Sequence, residues 1–250
     1  MKKWIIIFVI IIAVAVYFVW PKANVDKPIV MSVQYDEAAK TLAVSYIVAK
    51  NDDTYVMEIA QNTKGFYPPR TNGVWDGETN FTRVLAVQNG YELREDVVEL
   101  TDKQNSYFLS LESRVQLVRI SFEDYSPIET MMVLLIEDEA VDVTVVDHTL
   151  RYTYTVPEDV TIESIGHYDS EATISFEQNG KEVDFPRKVR QGSTIDIFIN
   201  NPYRLSSKDR LLLEIEMKDK QSITKNILMT ESIPEGYLKQ IVKESNDGIH

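Results

Sequence analysis

From residue 28 onward, apolar and polar positions alternate with a period of two in one short run after another. In LRYTYTV, Leu150, Tyr152, Tyr154 and Val156 fall on one side and Arg151, Thr153 and Thr155 on the other. ATISF sets Ala172, Ile174 and Phe176 against Thr173 and Ser175, and LLLEIEM sets Leu211, Leu213, Ile215 and Met217 against Leu212, Glu214 and Glu216. Such alternation predicts strands with one core face and one wet face, the antiparallel case. Asn89-Gly90 and Asn179-Gly180 fall between apolar runs. Asn-Gly accepts positive φ at both central turn positions, so both pairs predict hairpins. Candidate strands extend from residues 29–35 to residues 223–229, with one long run at 107–122.

No stretch before residue 234 has the periodicity of a long amphipathic helix. Strand after strand without alternating helices predicts an all-β, antiparallel sandwich and argues against a parallel α/β sheet. The number of runs fits two sandwiches, at 23–125 and 126–233, divided at the polar break Asp124-Tyr125-Ser126-Pro127. A single larger sandwich is the alternative. Residues 234–250 read as a C-terminal helix and tail, with Tyr237, Leu238, Ile241 and Val242 on one stripe. That stripe is expected to cap the second sandwich.

One run differs in kind. Residues 4–20, WIIIFVIIIAVAVYFVW, are apolar without interruption. As a helix they span about 25 Å, close to a hydrocarbon core of ~27–30 Å. Lys2 and Lys3 precede the run, Trp4 and Trp20 sit at its edges, and Pro21 follows it. Residues 1–22 therefore read as a membrane anchor with a cytoplasmic N-terminus and everything beyond outside. The competing reading is a cleaved signal sequence, since Ala13-Val14-Ala15 fits a small-x-small cleavage pattern.

Charge changes the picture by region. The chain of 250 residues carries 26 Lys and Arg against 39 Asp and Glu, a net of −13. Beyond residue 23, after loss of Lys2, Lys3 and Lys22, the net is −16. This balance excludes a general nucleic-acid binder, which needs a basic face to displace counterions. Residues 181–210 reverse it, with seven basic and four acidic side chains. Arg187, Lys188 and Arg190 are its densest part and form a candidate contact patch for lipid headgroups, an anionic wall polymer or an acidic partner.

Candidate chemistry is sparse. With no cysteine, disulfides, thiolate metal sites and a cysteine nucleophile are excluded. The three histidines, His148, His167 and His250, form no metal-binding spacing, and Asp147-His148 has no nucleophile motif beside it. Asp76-Gly77-Glu78-Thr79-Asn80 places oxygens at alternate positions but lacks the rest of a calcium loop. Acids cluster at Glu137–Glu139 with Asp142, and at Glu92, Glu95, Asp96 and Glu99. No cofactor is expected.

The segment 64–81 stands out as an irregular stretch of unusual length. It holds Phe66, Tyr67, Arg70 and Trp75, a candidate binding loop whose rings suit a sugar face or a protein partner. The hairpin loop DEAAKTL and the alternating runs resemble bacterial immunoglobulin-like modules over short stretches. The Ile- and Lys-rich composition resembles that of a Gram-positive envelope protein. Together these features predict a membrane-anchored protein whose outer β-sandwiches have a non-enzymatic binding or assembly role. Its partner would be an envelope protein or an anionic wall polymer. The alternative is a carboxylate-based hydrolase, or a carbohydrate-binding protein, acting on cell-wall sugars outside the membrane.

Overall fold

A computed structural model describes residues 25–68, 82–136, 141, 143–146, 149–168, 172–205, 210–220 and 222–247. The chain is predominantly β, as the alternation predicts. The apolar run 4–20 lies outside the described residues, and no helix among those described is long and apolar enough to cross a membrane.

The first unit is built from β1 (Ile29–Asp36), β2 (Thr41–Ala49), β3 (Val56–Gln61), β4 (Lys64–Phe66), β5 (Thr82–Gln88) and β6 (Tyr91–Glu99), then helix α1 (Asp102–Leu109), β7 (Val115–Phe122) and β8 (Ile128–Leu135). Its eight strands form one sheet in the order β4-β3-β7-β8-β1-β2-β6-β5. All neighbours are antiparallel except β1 and β8, which run parallel. The sheet curls back on itself. The Val56 amide of β3 donates to Asp96 Oδ2 of β6 at 2.8 Å, although four strands separate these two along the sheet. Inward-facing Val44, Tyr46, Ile59, Val118, Ile120, Phe122, Met132 and Leu134 fill the space so enclosed.

Helix α1 closes one end of this fold. Thr101 and Gln104 form a capping box at its start. Phe108 is fully buried, with its ring 4.7 Å from that of Tyr35 and 4.8 Å from that of Phe66. The run 107–122, expected as one strand, is thus the end of a helix followed by β7. The capping box, T-D-K-Q at 101–104, is the sequence signal that marks it. The break Asp124–Pro127, expected between two sandwiches, is the turn between β7 and β8. Asp124 adopts a positive φ of 64° there, and the following strand pairs within the first sheet.

The second unit has two sheets. One is β13-β12-β15-β10-β9, from Lys181–Glu182, Thr173–Gln178, Thr194–Asn200, Thr149–Thr155 and Val143–Val146. The other is β14-β11-β16-β17, from Arg187–Val189, Val160–His167, Arg210–Met217 and Ile223–Leu228. Leu150, Tyr152, Tyr154, Ile195, Ile197 and Ile199 of the first meet Ile162, Leu211, Leu213, Ile215 and Ile227 of the second. Asn179 and Gly180 both have positive φ, 55° and 68°, as the hairpin between β12 and β13 requires.

Leu212 points away from this core and is nevertheless buried, against Val133 and Leu135 of β8. Gln34 Nε2 donates to the Arg210 carbonyl at 3.2 Å, and Asn226 Nδ2 to the Ile136 carbonyl at 2.8 Å. Helix α2 (Tyr237–Asn246) completes the molecule. Its predicted stripe, Tyr237, Leu238, Ile241 and Val242, is buried, but not on the second sandwich. It packs with Ile47 of β2 and Leu93 of β6, on the outer face of the first sheet, together with Val25 and Leu205. The outer face of the first sheet supplies the apolar partners, with Ile29, Met31, Leu85 and Tyr91 packed around the same cluster.

Candidate functional site

The segment 64–81 begins as β4, paired with β3 through Ile59 and Phe66. Phe66 is therefore no loop aromatic. It is 1% exposed and belongs to the core, because its place opposite Ile59 turns it inward. Lys64 sits over the Tyr107 ring with its ammonium 3.6 Å from the centroid. Tyr67 does reach solvent, at 63% exposed, and its hydroxyl donates to Glu58 Oε1 at 2.9 Å. That bond to a carboxylate raises the phenol pKa. The Tyr67 hydroxyl and ring edge lie over Gly65, 2.6 Å and 2.9 Å from where a Cβ would stand. A side chain at 65 would displace them. Arg70 and Trp75 lie outside the described residues, as do Asp76–Asn80, Glu137–Glu139, Asp142, Asp147, His148 and His250.

Arg187 and Lys188 fall on β14, the edge strand of the four-stranded sheet, and Arg190 just past it. All three are exposed. Strand alternation puts Arg187 on the side of buried Val189 and Lys188 on the opposite side. Arg187 Nε donates to Gln178 Oε1 at 3.1 Å, which draws it toward the β12–β13 hairpin. Acids interleave with the cations at this end. Lys220 pairs with Glu158, and Asp159 Oδ1 accepts the Gln191 amide at 2.7 Å. The three cations thus form a mixed, divided surface in place of one basic face.

The densest polar cluster was foreshadowed only as a group of acids. Glu92, Glu95 and Asp96 lie on β6. Glu92, Arg94, Asp96 and Val98 face inward, and Asp96 is buried at the closure of the curled sheet. Its Oδ2 accepts from the Tyr46 hydroxyl at 2.9 Å and the Val56 amide at 2.8 Å, and its Oδ1 accepts from the Thr82 hydroxyl. Burial and the Asp96 charge hold the Tyr46 phenol far above its ordinary pKa. Beside it, Arg94 meets Glu92 at 2.8 Å and donates to the Thr54 carbonyl at 3.2 Å. Tyr125 donates to Asp52 Oδ2 at 2.6 Å, and that bond, with partial burial, pushes its phenol up to about 12. Each of these carboxylates accepts structural hydrogen bonds, and Asp96 ties β2, β3, β5 and β6 together. No local pattern marks this: in YELREDVVE the apolar Tyr91, Leu93 and Val97 lie on the opposite side from Glu92, Arg94 and Asp96.

An apolar pair is exposed on the outer face of the first sheet. Leu117 of β7 and Met131 of β8 stand directly opposite one another, 59% and 53% exposed. Among the described residues no group of three or more His, Cys, Asp and Glu side chains is arranged to hold a metal ion.

No family model matches the chain, and no curated protein matches it. Among solved structures it is similar to the CupB2 chaperone of Pseudomonas aeruginosa, at 9% identity and a TM-score of 0.19 over 82% of this chain and 99% of that one. It is similar to the YadV chaperone at 12% identity and a TM-score of 0.21, over 81% and 98%. The tandem Ig repeats of Dlar match at 9% identity and a TM-score of 0.21, over 80% and 95%. These neighbours are chaperone and immunoglobulin-like structures.

Proposed function

We propose that the chain is a membrane-tethered, extracytoplasmic protein of the bacterial envelope, displaying immunoglobulin-like β-sandwich units for a non-enzymatic binding or assembly role. One observation carries the reading: Val25, the first described residue after the apolar run, is buried beside α2 and the outer face of the first sheet. Residues 21–24 separate Val25 from Trp20, a reach of at most about 17 Å. A chain leaving a bilayer at residue 20 would therefore enter a folded body at once, with no free linker, which suits presentation of a fixed surface. Partner contact would fall to exposed features such as Tyr67 or the cations on β14, with an envelope protein or an anionic wall polymer as partner.

Protease added to intact spheroplasts tests the topology. Digestion of residues beyond 22 without lysis is expected, and full protection would overturn it. Crosslinking in intact membranes tests the binding role, with a membrane anchor lacking residues 25–250 as control. Recovery of a partner above that control is expected, and identical recovery from both would remove the reading.

A further inference from the structure

Helix α2 starts badly by itself. Its N-cap residue is Gly236, left-handed at φ 82°, and no side chain of its own segment accepts from the first turn. A ten-residue helix with uncapped amides is marginal in water. The missing acceptor comes from elsewhere. Gln88, at the end of β5, accepts the Leu238 amide on Oε1 at 3.3 Å and donates from Nε2 to the Pro234 carbonyl at 2.9 Å. One carboxamide of the first unit thus caps the helix and grips the segment leading into it, and both bonds exist only when the helix is docked.

The same segment is bonded to the second unit. The Arg204 amide donates to the Glu231 carbonyl at 2.8 Å, and the Glu231 amide to the Pro202 carbonyl at 3.1 Å. Tyr203 meets the Tyr237 ring edge-on, with centroids 5.4 Å apart. Leu205 of the second unit, Val25 of the entering chain and Ile47 and Leu93 of the first unit all close around the four apolar residues of the helix. Among the described residues, the units also meet where Leu212 packs against Val133 and Leu135 and where the Gln34 and Asn226 side chains donate across to the Arg210 and Ile136 carbonyls.

We propose that residues 230–247 are a folding-coupled strap. The helix forms only on the first unit, and its docking fixes the 201–205 loop of the second unit to the same surface in one step. Released, the strap loses its cap and its helix together, and the two units are then joined through the Leu212 seam and its two flanking side-chain hydrogen bonds.

Site-resolved amide hydrogen exchange on the full chain tests this, with Gln88→Ala as the mild variant and Ile241→Asp as the severe one. In Gln88→Ala the amides of Leu238, Ile241, Glu231 and Arg204 are expected to exchange faster by one common factor, about tenfold. Amides of Ile120 and Ile197, in the two cores, are expected not to change. In Ile241→Asp the same four lose protection almost completely. If the variant instead unfolds the cores as well, Gln88→Ala decides. Faster exchange confined to Leu238 and Ile241, with Arg204 and Glu231 as in the parent, would overturn the coupling. No change in any of the four would overturn the role of Gln88 and with it the proposal. Lys239→Ala, on the exposed side of the helix, serves as the control that leaves all four unchanged.

Discussion

The two units solve the same problem, closing β-strands around a core, by opposite means. The second brings two separate sheets together over aliphatic side chains, with Ile195, Ile197 and Ile199 facing Leu211, Leu213 and Ile215. The first curls a single sheet until its distant strands meet, and a buried carboxylate stands where they do. Apolar closure is non-directional and tolerates small shifts. Closure on Asp96 is directional, because three donors from three strands must converge on two oxygens. Buried polar networks of this kind specify one arrangement when complete and are costly when broken.

The largest expected effect follows from that difference. Asp96→Ala strips acceptors from a buried phenol and a buried amide at once, and about 3–5 kcal/mol of the first unit's stability should go with them. Urea unfolding with exchange read at Ile120 and Ile197 would check it. Loss at both sites equally would erase the contrast between the units.

Ile197→Ala is expected to cost the second unit about 2–4 kcal/mol through the lost methyl groups and the cavity left behind. That loss should be the same across the neutral range, since Ile197 stands opposite the Tyr152 phenol, which burial keeps neutral there. Parallel denaturation at several pH values around neutrality would test this.

Alkali should distinguish the units more gently. Burial, with Glu37 and Asp36 nearby, pushes the Tyr35 phenol up to about 12, and the Tyr46 phenol stands higher still. A raised pKa in the folded state means the neutral phenol is favoured there. Its stabilising contribution is complete below the ordinary value near 10 and is lost as pH rises from 10 through about 12. Phenolate absorbance should accordingly appear for Tyr35 and Tyr46 only as the first unit opens, in step with its loss of circular dichroism. Smooth ionisation of both ahead of unfolding would contradict the buried hydrogen bonds.

The smallest effect lies at acid pH on the second unit's outer face. The hydrogen bond from Arg151 Nη2, 2.7 Å, is the main reason the Asp196 carboxyl stays below its ordinary range, opposed by partial burial and aided by Thr153. A depressed carboxyl pKa contributes stability above the unfolded value, near 4, and loses it as pH falls through the folded one. Arg151 is solvated, so the loss should be small. Arg151→Ala should abolish that acid-side slope in thermal melts, and an unchanged slope would assign it elsewhere.

Much of the second unit could be read directly. Strict alternation at 150–156 placed Leu150, Tyr152, Tyr154 and Val156 inside, and all four are buried. Asn-Gly at 89–90 and 179–180 marked real turns. The readings that failed depended on what lies far along the chain. Nothing local in Asp124–Pro127 tells a hairpin from a boundary, because the difference is whether β8 pairs with β1, some 100 residues away. The stripe of α2 was legible, but not the surface it would choose. Phe66 was placed on a loop because β4 is only three residues long, too short to show a period. The role of Asp96 was hidden for a similar reason: its three donors come from positions 46, 56 and 82.

Pinning at Phe66 and Thr82 bears on how the intervening segment can vary. One end is held by a core ring and the other by a hydroxyl on a buried carboxylate. Both posts belong to the first unit itself, Phe66 to its core and Thr82 to the carboxylate at which its sheet closes. Whatever is altered between Pro68 and Thr82 therefore leaves the two anchors of the segment where the first unit's own packing and hydrogen bonding set them.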